Sequence, residues 1–410
     1  MDTCTSERTL PVFATTQPIF DRQARIYGYE MDFQSGFEAE FAAAAERARA
    51  GIDFWRAMGF DVILGLDRGH VTFTRELLIE RVPILFPPDT LAVGVPGELR
   101  GDGDLIDACR ELKDVGYKLE LVNFTPDQAD SVFLDLADIV RIGVAAMTGA
   151  ELSAICGRLT GRGLWPLAAG VDTAEKHDQA CKAGFCYFLG DFFRRPVLAS
   201  DRELPSQKAH YLSLLAEVNK PELAYDELEA IIELDVAMTY RLLRFINSAW
   251  YGLKVVIESI RHALVLLGPR EVQLWASLLV LHELGAEKPR ELFRRCLIRA
   301  KMAEGIAPLV GMGSRASELF LMGMFSLVEA LTDVPVARVL DGLSLGQDVK
   351  TALVDDKGPF GLVHAVVKYY ESGQWQELLE PATALNLERL ALPKAFGAAV
   401  QWADNAVKMM

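Results

Sequence analysis

The stretch Leu234-Asp235-Val236-Ala237-Met238-Thr239-Tyr240-Arg241-Leu242-Leu243-Arg244-Phe245-Ile246-Asn247-Ser248-Ala249-Trp250-Tyr251-Gly252-Leu253 decides how the second half of this 410-residue chain is read. Asp235 stands where a carboxylate can accept from the first orphan amides of a helix. Met238, Leu242 and Ile246 follow at i, i+4 and i+8, with Leu243 beside them, and make one apolar stripe. Arg241 and Arg244 fall on the wetter side, and Gly252 is the expected C-cap. Further on, Ser259-Ile260-Arg261-His262-Ala263-Leu264-Val265-Leu266-Leu267-Gly268-Pro269 predicts a second helix, a glycine stop, and a proline in the first turn of a third. Taken alone, these residues specify helix packing.

The pattern they form, LxxDxxMTxRLLRxxNSAxYG followed by SIxxALxLLG, resembles the core of HDOD domains. These are all-helical relatives of HD phosphohydrolases that lack the metal-binding His-Asp pair. Where the wider superfamily shows Gly-Leu-Leu-His-Asp, this chain has Gly323-Met324-Phe325-Ser326-Leu327. The resemblance therefore implies a helical bundle over residues 201–410 with no phosphohydrolase site. His262, His282 and His364 are scattered and do not form an i, i+3 or i+4 cluster. Met322, Met324 and Phe325 are expected in the core.

Upstream, the pattern alternates. β-type runs at Pro11–Ala14, Asp61–Gly65, Val71–Thr74, Thr90–Val95, Lys118–Val122 and Ile139–Ile142 are separated by helical runs at Phe37–Ala50, Arg75–Glu80, Asp104–Val115 and Ala150–Leu159. That alternation predicts parallel strands with crossover helices, in a doubly wound sheet or a barrel. No glycine-rich phosphate loop follows a strand; Gly101-Asp102-Gly103 is turn chemistry before a helix.

The run from Gln17-Pro18-Ile19-Phe20-Asp21 to Gly28-Tyr29-Glu30 resembles the entry of an EAL domain, a modified (β/α)8 barrel that hydrolyses cyclic di-GMP. The likeness continues in order through Phe73-Thr74-Arg75-Glu76-Leu77-Leu78, Ala137-Asp138-Ile139-Val140-Arg141-Ile142 and Gly170-Val171-Asp172-Thr173 to Gly190-Asp191-Phe192-Phe193-Arg194-Arg195-Pro196. It favours the barrel. The expected fold is α/β plus all-α: a degenerate TIM-like EAL barrel over residues 8–200, then the HDOD bundle over 201–410.

Two divalent ions flanking a phosphodiester need a ring of carboxylates and amides at the C-terminal ends of the barrel strands. The resemblance puts Glu30 on the motif glutamate, but Gln34 on its phosphate arginine and Thr72 on an asparagine. Gly94 and Gly97 fall on glutamates, Val122 and Asn123 on an Asp-Asp pair, Arg141 on the strand lysine and Gly143 on the following acid. Ala169 and Leu189 fall on a further glutamate and glutamine, while Asp172 keeps an acid. This sequence implies no catalytic residue, no metal site and no cofactor, and hence no enzyme. Glu30 is expected to pair with a cation such as Arg141. The alternative is a cyclic di-GMP receptor whose barrel mouth uses Gln17, Glu30, Arg141 and Asp172. Arg194 and Arg195 are expected as solvated surface, and the spacing is short for eight regular repeats.

The formal net charge of -15 speaks against nucleic acid as the main partner, since phosphate binding wants a basic surface. Hydrophobic residues make up 51% of the chain, which supplies two full cores. The six cysteines, Cys4, Cys109, Cys156, Cys181, Cys186 and Cys296, form no CxxC pair and are expected reduced. The start carries no signal-peptide core and no run is taken as long enough to span a bilayer, so the expected location is cytoplasmic. The expected role is signal transduction without catalysis, with the HDOD half binding a protein partner and the barrel as regulatory scaffold; homo-oligomers are compatible with the sequence.

Overall fold

In a computed structural model, eight strands close into a barrel in chain order. They are β1 (Val12–Asp21), β2 (Ile26–Ser35), β3 (Arg68–Thr72), β4 (Leu91–Pro96), β5 (Lys118–Val122), β6 (Ile139–Gly143), β7 (Trp165–Ala169) and β8 (Tyr187–Leu189). The structure describes residues 12–35, 68–99, 101–128, 131–194, 209–220, 224–248, 251, 256–341, 343, 345–388 and 391–409. The expected elements Asp61–Gly65 and Phe37–Ala50, the C-cap Gly252, and Arg195 and Cys4 lie outside the described residues.

β1 runs antiparallel to both β2 and β8, and every other pairing is parallel. No strand has been lost, so the doubt raised by the short spacing is answered: β8 needs three residues and β7 five. Leu91, Ala92, Val93 and Val95 of β4 are all buried, as a parallel strand covered on both faces requires. Gly94 lets β3 approach, since a Cβ there would sit 2.9 Å from the Cα of Thr72. The described helices of this half are α1 (Arg75–Ile79), α2 (Gly103–Val115), α3 (Gly149–Gly161) and α4 (Ala174–Ala183), and the last three carry side-chain N-caps. Asp102 caps α2, Thr148 and Glu151 form a capping box on α3, and Thr173 caps α4. One apolar core lies between strands and helices. A smaller one, Ile19, Ile139, Leu167 and Leu189 with Tyr27 and Tyr187 packed on it, fills the barrel.

The helical half contains α5 (Ala209–Val218), α6 (Tyr225–Glu233), α7 (Val236–Ile246), α8 (Ile260–Leu284), α9 (Arg290–Ile306), α10 (Ala316–Phe325), α11 (Val328–Thr332), α12 (Val336–Asp341), α13 (Gln347–Asp355), α14 (Gly358–Glu371), α15 (Trp375–Ala384) and α16 (Ala391–Met409). Asp235 caps α7 as expected, accepting from the amides of Ala237 and Met238 at 2.7 and 3.3 Å and from the Tyr211 hydroxyl at 3.0 Å. Asn247 donates to the carbonyls of Leu243 and Ile257 and accepts from the Ile257 amide, tying off the turn after α7. α8 is broken at Gly268 (φ 72°), with Pro269 starting the next run. Met322, Met324 and Phe325 are fully buried. α8 is long and apolar enough to cross a membrane by length and composition, which corrects the expectation that no run was, yet more than half of its apolar window is buried.

The chain forms two compact units. The first holds the barrel half to residue 194 together with 370–379 and the described part of 389–397; the second holds the rest. Residues 370–379 and 391–397, read from sequence as part of the helical bundle, thus group with the barrel. There Tyr370 sets its ring edge-on to Trp375 at 5.3 Å and packs on Phe396 at 5.1 Å.

Candidate functional site at the barrel mouth

The register of the barrel aims its polar side chains. Gln17 of β1 lies opposite Glu30 of β2, and Glu30 lies opposite His70 of β3. Two further strands deliver Glu120 from the middle of β5 and Arg141 from the middle of β6. These four charged or titratable groups form a chain across the barrel. His70 Nδ1 is 2.5 Å from Glu120 Oε2, Arg141 Nε donates to Glu120 Oε1 at 2.5 Å, and Arg141 Nη1 donates to Glu30 Oε1.

Burial alone would push the Glu120 carboxyl up, but the Arg141 guanidinium and His70 outweigh it and hold it well below the usual carboxylate range. Arg141 is raised further above its already high value by Glu120 and Glu30, against the opposing effect of burial. Buried charges are tolerated only when paired and hydrogen-bonded in this way.

Above this chain opens a polar cleft of about 390 Å³, lined by Thr15, Thr16, Gln17, Glu30, Asn123, Arg141, Asp191, Arg194 and Glu371 among others. Arg194 is a correction to the sequence reading: its side chain is 12% exposed and donates to Glu371 at 3.0 Å, so it is not solvated surface. Of the four residues expected at the site, Gln17, Glu30 and Arg141 come together. Asp172 stands apart from the cleft lining; its carboxylate accepts from the Asp191 amide at 3.3 Å and so fixes the loop that carries Asp191. Sequence reasoning missed Glu120, whose signal was a lone acid inside the apolar strand Lys118-Leu119-Glu120-Leu121-Val122.

The donor set does not fit a pair of hard divalent ions. Glu30 is engaged by Arg141, and both Asp191 and Glu371 pair with Arg194. Among the described residues no group of three or more His, Cys, Asp or Glu could hold a metal. In the helical unit, Ser326 accepts from Arg299 at 3.2 Å and donates to the Gly323 carbonyl at 2.7 Å, closing α10 where the superfamily's metal pair would stand.

A family model described as the HDOD domain matches residues 204–332. A Vibrio cholerae protein named Cyclic di-GMP phosphodiesterase CdgJ is 29% identical over 407 residues, spanning 97% of this chain and 94% of its own length. Uncharacterized protein YuxH of Bacillus subtilis is 30% identical over 405 residues, spanning 96% of this chain and 98% of its own. Among solved structures, an EAL domain protein from Listeria monocytogenes is 17% identical, covers 45% of this chain and 88% of its own, and superposes with a TM-score of 0.37. The calcium and cyclic di-GMP complex of Klebsiella pneumoniae BlrP1 is likewise 17% identical, over 45% of this chain and 56% of that one, at a TM-score of 0.38. The name of the Vibrio relative, which matches along almost the whole chain, overturns the expectation that this sequence is no enzyme. That expectation counted metal ligands position by position against the resembled family, and a relative of the same architecture carries the name of the activity the count excluded. Barrel, helical half and full-length likeness to the Bacillus protein lead to one statement: the chain belongs to the family of two-domain proteins in which an EAL-type barrel precedes an HDOD domain.

Proposed function

We propose that the chain is a cyclic di-GMP signalling protein that takes the dinucleotide at the C-terminal mouth of its barrel and relays the outcome through its HDOD half to a protein partner. The observation that carries this reading is the cleft itself, in which two arginines, Arg141 and Arg194, stand with the amides of Gln17 and Asn123. A cyclic dinucleotide presents two phosphodiester anions and two guanine edges. Guanidinium groups match the first, and carboxamides, with one donor and one acceptor face, match the second. Gln17, Glu30 and Arg141 form the inner contacts in this reading, and Asp172 acts from behind by holding the Asp191 loop. Exposed Val236 and Tyr240, one turn apart on α7, with Leu234 just before them, give the HDOD half an apolar surface suited to a partner.

A second reading, hydrolysis of the dinucleotide, is favoured by the name of the Vibrio relative. Calorimetric titration of the full chain with cyclic di-GMP tests the first reading, and the expected result is saturable binding weakened by Arg141→Met. No heat at high micromolar ligand would refute it. Linear product formed in magnesium or manganese, and lost in Glu30→Gln, would establish the second.

A further inference from the structure

We infer that Arg194 is the phosphate-holding side chain of the mouth, and that Glu371 is its resident counter-ion, a carboxylate that the phosphate of the ligand has to displace. The inference rests on the cyclic di-GMP reading above. The position that resembles the family's phosphate arginine is Gln34, so a phosphate in this cleft needs a guanidinium from elsewhere. Arg194 supplies one from the 3-10 turn after β8, at the edge of the same cleft as Arg141.

Its occupant is already in place. Arg194 Nη2 donates to Glu371 Oε1 at 3.0 Å, and its Nε lies 3.4 Å from Asp191 Oδ1. The Glu371 side chain is 1% exposed. It is the last residue of α14, where the helix dipole disfavours a negative charge, so its placement depends on an outside cation. The following turn is fixed. The Gly373 amide donates to the Tyr370 carbonyl at 3.2 Å, Gly373 takes φ +67°, and Tyr370 is wedged against Trp375 and Phe396. A carboxylate and a phosphodiester offer an arginine the same pair of anionic oxygens. Binding is then an exchange of one anion for another at Arg194, and the cost is the release of Glu371 with the turn that carries it.

The test is a double-mutant cycle on the full chain, read by titration with cyclic di-GMP. Glu371→Gln keeps shape and removes the competing charge; affinity should rise about tenfold, or about 1.4 kcal/mol. In an Arg194→Ala background the same change should bring no gain. Unchanged or weaker binding by Glu371→Gln overturns the inference, as does an equal gain without Arg194, which would mark a general charge effect. A failure of every variant and of the wild type to bind overturns the cyclic di-GMP reading instead. In the wild type, hydrogen exchange at the Gly373 amide should speed up when ligand is added; slower or unchanged exchange also overturns the inference.

Discussion

Replacing Arg141 by methionine keeps most of the side-chain volume and leaves Glu120 and Glu30 without their guanidinium. Removing one partner of a buried ion pair costs about 3–5 kcal/mol, because the remaining charge stays desolvated. Two features place this case at the lower end. Glu30 is 24% exposed and water can take part of its charge, and Glu120 keeps His70 at 2.5 Å. We expect a loss of about 3 kcal/mol, read as a roughly hundredfold fall in hydrogen-exchange protection of the β5 and β6 amides. The pH dependence changes as well. In the wild type the Glu120 carboxyl is depressed, so its contribution is present above the unfolded-state value of about 4.3 and is lost as pH falls through the folded value. In the variant the guanidinium no longer offsets burial, so the Glu120 carboxyl moves up from its wild-type position and the stability it lends above about pH 4 shrinks, which flattens the acid limb. Wild-type protection at neutral pH in the variant, or an acid response parallel to the wild type, would refute the reasoning.

Other outcomes follow from the same geometry. Asp235→Ala should cost about 1–2 kcal/mol in denaturant melts followed by α7 exchange, since it removes a cap to two amides and a bond from the Tyr211 hydroxyl. The hydrogen bond from His364 holds the Asp356 carboxyl down at about 2, so the contribution of this pair is present above about pH 4 and lost as pH falls toward 2; Asp356→Asn should remove that part of the acid limb. Gly323→Ala puts a Cβ 2.4 Å from the Arg299 carbonyl oxygen, where α10 packs on α9, and should cost about 3 kcal/mol. Gly103→Ala meets nothing within 4 Å and should be neutral or slightly stabilising, which makes it the control.

What the sequence made legible was local. Asp235 and the Gly268-Pro269 break were readable because a cap or a stop acts within a few residues of itself. Lys118–Val122 was readable as a strand because Leu119, Leu121 and Val122 make a short apolar run interrupted inside only by Glu120. β2, with its mixed Ile26-Tyr27-Gly28-Tyr29-Glu30 pattern, and the three-residue β8 were not, since closure of the barrel and not periodicity holds them. At the site, Arg141 could be paired with Glu30 through the family pattern. The link from His70 to Glu120 spans 50 residues and that from Arg194 to Glu371 spans 177, and nothing in the local sequence announces either. Asp172 shows the converse: its acid serves the neighbouring backbone, a duty that looks the same in sequence as ligand binding.

Arg141 has one more consequence. A cation tethered by its own peptide bonds cannot be chelated, diluted or exchanged, so the charge of Glu120 is balanced from translation onward, whatever ions are supplied.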